Sequence, residues 1–313
     1  MAFYVLSYIC LAVLIAATAH RVCRQFTLPL HVRWEIYPVQ HESAARAAYG
    51  GSYMEEVDWW EKKQERSLFN EIRYMVPEML FIRGLWKENR SLWRVSFPFH
   101  FGLYLMIATF GLLVLNALFT FGGFSVFAAG TGLGHLLDGI VAVLGWAGLI
   151  LGNMGSLGLL HRRLTDRELR DYSAPADYFN ILFIWLFFIA ALISGLSGDP
   201  TWAGAKDYVL GLLTGGKLPA AYVPGQSMAG GMTIVVASLL VAYIPLTHMS
   251  HMYMKYFLYH RVKWDDAPNR RGGAIEEAIE KNLQLKPTWK AKHIEADGRK
   301  TWQEIASEVK EVK

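Results

Sequence analysis

Four long stretches of this chain contain no charged side chain. Asp, Glu, Lys and Arg are absent from residues 95–137, 139–161, 178–198 and 218–254. A bilayer-spanning helix needs roughly 20 predominantly apolar residues, whereas transmembrane β-strands alternate apolar and polar positions. Together with the apolar N-terminus, the stretches supply five candidate spans: 2–20, 99–121, 138–160, 178–197 and 230–254. The sequence therefore predicts an all-α integral membrane protein with a five-helix transmembrane bundle.

Lys and Arg indicate which ends of the spans face the cytoplasm, because cytoplasmic loops carry an excess of both. Residues 21–98 contain 12 of them and residues 162–177 contain four, whereas 122–137 has none and 198–229 has two. With five spans, this predicts an N-terminus outside and a C-terminus in the cytoplasm. A cleaved signal peptide is the alternative for the first span, although no positive residue precedes it.

The charged segments divide the chain into four parts. These are transmembrane helix 1 (1–20), a cytoplasmic loop (21–98), the region of spans two to five (99–261) and a cytoplasmic tail (262–313). Within the tail, the sequence predicts helices over Ala274–Leu283 and Thr301–Val312. A segment of this size buries little core by itself, so we expect it to bind a partner protein, with a solvated extension as the alternative.

The loop of residues 21–98 contains segments typical of amphipathic helices. Helices are expected around Ala44–Ala48, Glu55–Asn70 and Pro77–Lys87. The pair Trp59-Trp60 and the apolar stripe from Met79 to Trp86 fit helices that lie flat at the boundary between lipid headgroups and acyl chains. Packing against a soluble partner is the alternative.

Composition narrows the function classes. Hydrophobic residues make up 53% of the chain and charged residues 19%, and the net charge of +4 is too small and too dispersed for a phosphate-binding face. Nucleic acid is therefore not an expected partner. The two cysteines, Cys10 and Cys23, cannot form a disulfide framework, an iron–sulfur site or a covalent haem attachment. Redox chemistry in this chain must use other ligands.

Six of the ten histidines lie at the ends of spans or inside them: His20, His100, His135, His161, His248 and His251. Ionisable groups within a membrane are costly and by default mark functional sites. By the orientation above, His135 lies at the outer level and the other five at the cytoplasmic level. A place among the headgroups is the alternative for His20 and His161, each of which lies beside an arginine.

A b-type haem between membrane helices needs two neutral imidazoles that reach the iron from opposite faces. His100 begins the second span, and His251 lies near the end of the antiparallel fifth span. We therefore predict His100 and His251 as axial ligands of the haem iron, with His248 as the alternative ligand one turn earlier. A kink expected at Pro245 fits a bundle around a planar cofactor. So does a glycine-rich face of the third span: Gly145, Gly148, Gly152 and Gly155.

The segments FPFHFGLYLMI around His100 and IPLTHMSHMYMKYF at the end of the fifth span resemble the respiratory nitrate reductase gamma-subunit family of membrane cytochromes b. RRLTDRELRDYSAPADYFN, YHRVKWDD and GRKTWQEIASE are similar to its branch in the transmembrane redox complexes of sulfate-reducing and related bacteria. In that branch the cytochrome works with a cytoplasmic iron–sulfur subunit of the heterodisulfide reductase type. The resemblance covers nearly all of the chain and implies a multi-pass protein of the bacterial inner membrane.

The resemblance implies two haems, because two helices of the family each carry two ligands about ten residues apart. The cytoplasmic-side haem maps onto His100 and His251. The outer haem does not map, since Phe110 stands ten residues after His100 and the matching stretch from Gly231 to Val236 has no histidine. One haem b is therefore expected, and a second stays open.

His135 and Asp138 lie three residues apart on one face of the third span. A quinol site needs hydrogen-bonding groups and a proton route, which a histidine and a nearby carboxylate provide. These two residues therefore predict a quinone site near the outer surface. Two alternatives stay open. Asp138 serves only the first turn of its helix, or His135 ligates an outer haem with an unusual partner such as Met106 or Met232.

Together these features predict a membrane cytochrome b subunit of a multi-subunit respiratory complex. It would transfer electrons between the menaquinone pool and the iron–sulfur subunit through haem b, in a complex that includes a periplasmic multihaem cytochrome c. It has no soluble catalytic domain, so we expect no catalysis by the chain alone. The alternative is a non-haem membrane anchor or a proton-relaying, transporter-like subunit, although the inverted repeats of a transporter are not evident.

Overall fold

The structure is a computed structural model of the 313-residue chain. It describes residues 1–27, 44–49, 56–58, 67–124, 131–223, 226–251, 254, 271–288, 290–291 and 294–308. The chain divides into two compact units. The first comprises residues 1–16, 85–170 and 175–247, and the second comprises 17–84, 171–174 and 248–313.

The described residues are predominantly helical. In chain order the helices are α1 (Ala2–Thr27), α2 (Ala44–Tyr49), α3 (Leu68–Phe81), α4 (Arg83–Glu88), α5 (Arg90–Phe121), α6 (Gly132–Thr165), α7 (Arg167–Asp171), α8 (Pro175–Ser197), α9 (Ala203–Thr214), α10 (Met228–Tyr243), α11 (Ala274–Leu283) and α12 (Trp302–Ser307). Short 3₁₀ turns occupy Ala220–Tyr222, Ile244–Leu246 and His248–Ser250. Two short antiparallel strands, β1 (Lys290–Ala291) and β2 (Ile294–Glu295), pair in the tail.

Five of the described helices are long and apolar enough to cross a membrane: α1, α5, α6, α8 and α10 with its following 3₁₀ turn. This confirms the predicted number of spans and the all-α membrane bundle. Two helices begin before their apolar spans, at residues whose side chains cap the helix N-terminus. Asn89 Oδ1 accepts the N–H of Leu92 at the start of α5, and Thr131 Oγ1 accepts the N–H of Gly134 at the start of α6.

The fifth span ends earlier than the predicted 230–254. Helix α10 stops at Tyr243, and 3₁₀ turns follow around Pro245. Proline lacks the N–H that an α-helix needs and clashes with the preceding turn, so the expected kink is a helix end. His248 and His251 therefore lie beyond the α-helical part of this span and not on a continuous helix.

Glycines bring α5 and α6 of the first unit into close contact. A Cβ on Gly102 would lie 2.7 Å from the Cα of Gly152, and one on Gly155 would overlap the backbone of Phe99. The ring of Phe188 from α8 fills the space over Gly152. The predicted glycine-rich face is thus a helix-packing surface, as in other membrane bundles.

Helix α9 is a feature that the sequence reasoning missed. It occupies the connection between α8 and α10 and packs at the end of the first unit where α5 ends and α6 begins, which we call the α9 end. Val209 of α9 lies in an apolar cluster with Leu113 of α5 and Val141 of α6. Tyr208 lies in a second cluster with Tyr4 of α1. A short helix thus joins three of the long helices.

In the second unit, α3 does not begin at Pro77 as expected, because Ser67 Oγ accepts the N–H of Asn70 and starts the helix at Leu68. Pro77 lies inside α3, which ends at Phe81 before the left-handed residue Ile82. Trp59-Trp60 and most of the expected helix over Glu55–Asn70 lie outside the described residues.

The tail contains folded structure. Helix α11 has the predicted bounds Ala274–Leu283. Helix α12 begins with a capping box, in which Thr301 Oγ1 accepts the N–H of Glu304 and the Glu304 carboxylate accepts the N–H of Thr301. The backbone of Trp302 donates to the carbonyl oxygen of Leu285 at 3.0 Å, and Ala296 is fully buried. These contacts give the tail a small core of its own.

Candidate functional site

His100 lies about three turns into α5, which begins at Arg90, and its side chain has a defined orientation. Its Nδ1 atom is 2.8 Å from the carbonyl oxygen of Ser96 and 3.3 Å from the hydroxyl of the same residue. A carbonyl oxygen only accepts hydrogen bonds, so the Nδ1 atom carries a proton in this contact. The ring of Phe99 meets His100 edge to face, with centroids 5.1 Å apart. This is the tautomer of a histidine that binds a metal through Nε2.

His251 has the same arrangement in the second unit. Its Nδ1 atom is 3.1 Å from the carbonyl oxygen of His248, so this imidazole also carries its proton on Nδ1. The 3₁₀ turn at His248–Ser250 creates this contact by tightening the backbone just before His251. His248 contributes its backbone carbonyl to the orientation of His251, and the side chains of both residues are exposed, so the choice between them as metal ligand stays a prediction.

The two candidate ligands belong to different compact units, His100 to the first and His251 to the second. Each hydrogen bond orients its imidazole within its own unit. The donor chemistry fits a b-type haem, which takes two neutral imidazoles through nitrogen lone pairs. The pairing of both histidines on one iron stays a prediction.

The α5–α6 interface beside His100 has no room for a planar cofactor. Phe99, the residue before His100, lies against Gly155, and Phe188 covers Gly152. A macrocycle bound by His100 must therefore lie on another side of α5.

Asp138 forms an ion pair that the sequence reasoning did not foresee. The Nζ atom of Lys206 on α9 lies 2.8 Å from Asp138 Oδ1, and the Lys206 side chain is only 18% exposed. The partner that the structure gives Asp138 is thus a cation from α9, whereas His135 on the same helix is exposed. Lys206 is one of two cations between residues 198 and 229, and this isolation was the sequence feature that could have pointed to the ion pair.

The option that Met106 and His135 share an iron is wrong. The sulfur of Met106 lies against Gly148, where it is 3.0 Å from the position of an added Cβ. Gly148 is thirteen residues from His135 along α6, which at 1.5 Å per residue is about 20 Å. Axial ligands of one iron lie on opposite faces of a single macrocycle. One iron cannot bind two ligands that lie about 20 Å apart along the helix axis.

A buried amide lies close to the same end of the bundle. Asn116 of α5 is 4% exposed, and neither its Oδ1 nor its Nδ2 has a hydrogen-bond partner within the part of the chain that the structure describes. Leu113 of α5 packs with Val141 of α6 in antiparallel register, so one turn further Asn116 reaches the level of Asp138. Sequence reasoning did not single out this residue.

Asp199 anchors the beginning of α9. Its carboxylate is 6% exposed and accepts the N–H groups of Gly204 and Ala205 together with the hydroxyl of Tyr222. Burial, and after it the neighbouring Asp199 carboxylate, raise the pKa of Tyr222 above its ordinary value of 10.0. These bonds satisfy the buried carboxylate and fix α9 against the 3₁₀ turn at Ala220–Tyr222.

Among the described residues, no three or more His, Cys, Asp and Glu side chains form a group that could hold a metal ion. His20 and His161 are exposed, as expected for residues at the ends of spans. Cys10 is buried and Cys23 is exposed. No protein-family model, no curated protein and no solved structure matches this chain.

Proposed function

We propose that this chain is the membrane cytochrome b subunit of a multi-subunit respiratory complex of the bacterial inner membrane. In this proposal it carries electrons between menaquinone and a cytoplasmic iron–sulfur subunit of the heterodisulfide reductase type. One observation carries the proposal: the Nδ1 atoms of His100 and His251 each lie within hydrogen-bond distance of a backbone carbonyl oxygen, which is the second hydrogen bond typical of metal-binding histidines. The order of motifs that resembles the gamma-subunit family supports it.

His100 and His251 would hold the haem through their Nε2 atoms. The carbonyl oxygens of Ser96 and His248 keep both rings in the ligating tautomer and orient them. Hydrogen bonds of this kind also make the imidazole a stronger donor to a metal. When bound, the haem supplies one-electron redox chemistry, which no side chain of this chain provides.

One haem is proposed, and not two. At the α9 end, Val209 and Tyr208 of α9 pack in apolar clusters with residues of the long helices. Phe110 stands where the family has its second ligand on this helix. Met106 is too far from His135 to serve with it.

A menaquinone site is proposed at the α9 end, on His135 and Asp138 as the sequence indicated. The ion pair with Lys206 adds a cation that balances the carboxylate while it exchanges protons with a quinol. The unpaired amide of Asn116 at the same level offers both a donor and an acceptor. In the proposed orientation, with the N-terminus outside, this end faces away from the cytoplasm.

The iron–sulfur partner is proposed to dock on the loop of residues 21–98 and on the tail. Helices α11 and α12 of the tail offer charged side chains to such a partner. A periplasmic multihaem cytochrome c is proposed as a further subunit on the opposite side.

Haem stoichiometry tests the proposal. Pyridine haemochrome quantification of the purified chain is expected to give about one haem b per chain. His100→Ala and His251→Ala should lose it, whereas His161→Ala, which removes an exposed histidine, should keep it. A well-folded protein without haem would favour the non-haem anchor or transporter-like subunit.

A further inference from the structure

Helix α3 presents a row of large apolar side chains at its surface. Phe69, Ile72, Val76 and Leu80 recur every three or four residues and therefore lie on one face of the helix. Their exposed fractions are 74%, 46%, 41% and 43%. A helix of a soluble domain turns such a stripe towards the core, so an exposed stripe marks an interaction surface.

The polar side of α3 is the side that packs inward. Asn70 is 4% exposed although its neighbour Phe69 is largely exposed. The carboxylate of Glu78 accepts the N–H of Gly84 at 2.7 Å and so ties α3 to the turn that follows it. Helix α3 is thus inverted relative to a water-soluble helix, with its apolar face outward.

Chain connectivity holds α3 near a bilayer surface. Only residues 82–89 separate α3 from Arg90, the first residue of the spanning helix α5. Six of these residues form α4 and rise 1.5 Å each, so the connection covers at most about 20 Å. That distance is shorter than the hydrocarbon core of a bilayer is thick.

The start of α5 has the side chains of a membrane–water boundary. The rings of Trp86 and Trp93 meet edge to face at 4.6 Å, and the guanidinium of Arg90 lies 4.9 Å from the ring centroid of Trp86. Trp and Arg are typical of the headgroup level at the ends of transmembrane helices. The short connection therefore begins at that level.

We propose that α3 lies in the plane of the membrane interface, with the Phe69, Ile72, Val76 and Leu80 face in the acyl boundary of a phospholipid bilayer. The face contains no hydrogen-bonding side chain, whereas protein–protein interfaces typically carry one hydrogen bond per 100–200 Å². Arg73, exposed at the edge of this face, extends its guanidinium to the lipid phosphates. The surface is independent of haem binding and of the quinone site.

Site-specific fluorescence in lipid measures the depth of α3 directly. The full chain, with Cys10 and Cys23 replaced by alanine, is reconstituted without other subunits in phosphatidylglycerol-containing vesicles. Bimane is attached to single cysteines at Ile72→Cys and Val76→Cys, and quenching by lipids with a nitroxide at a shallow or a deep acyl position is compared. Ile107→Cys, on an exposed apolar position of α5, is the positive control, and Glu280→Cys on α11 is the aqueous control.

Quenching at Ile72 and Val76 is expected to be about two-fold stronger by the shallow nitroxide than by the deep one, because interfacial helices enter only about 5–10 Å. Quenching as weak as at Glu280 would overturn the proposal. The proposal would also be overturned if Ile72 and Val76 became buried only when the iron–sulfur subunit is added to these vesicles, since the face would then be a protein interface. Neither result bears on the haem, whose absorbance is recorded in the same samples.

Discussion

The Nδ1 atom of His100 lies 2.8 Å from the carbonyl oxygen of Ser96, four residues earlier on α5. A carbonyl oxygen has two lone pairs, so it accepts this bond in addition to the N–H bond of the helix. The side chain is therefore oriented without disrupting the helix backbone. Metal-bound histidines commonly have this second hydrogen bond, which holds the ring and its tautomer in place.

The first prediction separates His251 from His248. His248→Ala keeps the backbone carbonyl that accepts from His251 Nδ1, so haem content should remain close to that of the wild type. His251→Ala removes the proposed ligand and should reduce haem content by more than about ten-fold, as loss of a metal ligand does. Haem per chain after purification measures both. Loss of haem in His248→Ala together with retention of haem in His251→Ala would show that His248, and not His251, is the ligand.

The second prediction concerns the glycine contact between α5 and α6. Gly155→Ala places a methyl group on the backbone of Phe99 and should destabilise the fold by about 1–3 kcal/mol. Gly139→Ala on the same helix is the matched control, because an added Cβ there meets nothing within 4 Å. This control should be neutral or stabilising by up to about 1 kcal/mol. Thermal unfolding in detergent compares them, and equal effects would contradict the close packing.

The third prediction tests the ion pair between Lys206 and Asp138. Lys206→Met leaves a half-buried carboxylate without its partner and should lower the free energy of unfolding by about 1 kcal/mol. Lys217→Met, which removes the exposed second cation of the same connection, should have no measurable effect. Adding Asp138→Asn to Lys206→Met should recover part of the loss. An additive double variant would show that the two side chains do not interact.

The fourth prediction follows from Tyr222. Its pKa is raised above 10.0 by burial and then by Asp199, so above pH 10 the unfolded chain releases a proton that the folded chain retains. The unfolded state then binds fewer protons, and the free energy of unfolding falls as the pH rises. Tyr222→Phe should show a smaller decrease in melting temperature between pH 9 and pH 11 than the wild type. The same alkaline decrease in both proteins would exclude this contribution.

Local sequence patterns were sufficient for the elements whose structure depends on local physics. Absence of charge predicts the five spans, the missing Cβ atoms of Gly148 and Gly152 predict a close helix contact, and Pro245 predicts a break. These features act through burial, side-chain volume and a missing N–H, each of which is visible in a short stretch of sequence.

Helix α9 was missed because long-range contacts stabilise it. Its first turn is capped by Asp199, several residues before the helix, and the left-handed Trp202 at its N-cap makes no side-chain cap bond. Its charge partner Asp138 lies 68 residues away in sequence. The pairing of His100 and His251 is likewise non-local, and spacing along the chain determines only the depth of each residue.

The dithionite-reduced minus oxidised visible spectrum of the purified chain tests the central claim most directly. The account predicts the α band of a low-spin haem b in the wild type and in His161→Ala. The band should be absent in His100→Ala and in His251→Ala, while circular dichroism shows that both variants remain helical. A folded wild-type protein without the band, or a band that survives both substitutions, would contradict the assignment of His100 and His251 as haem ligands.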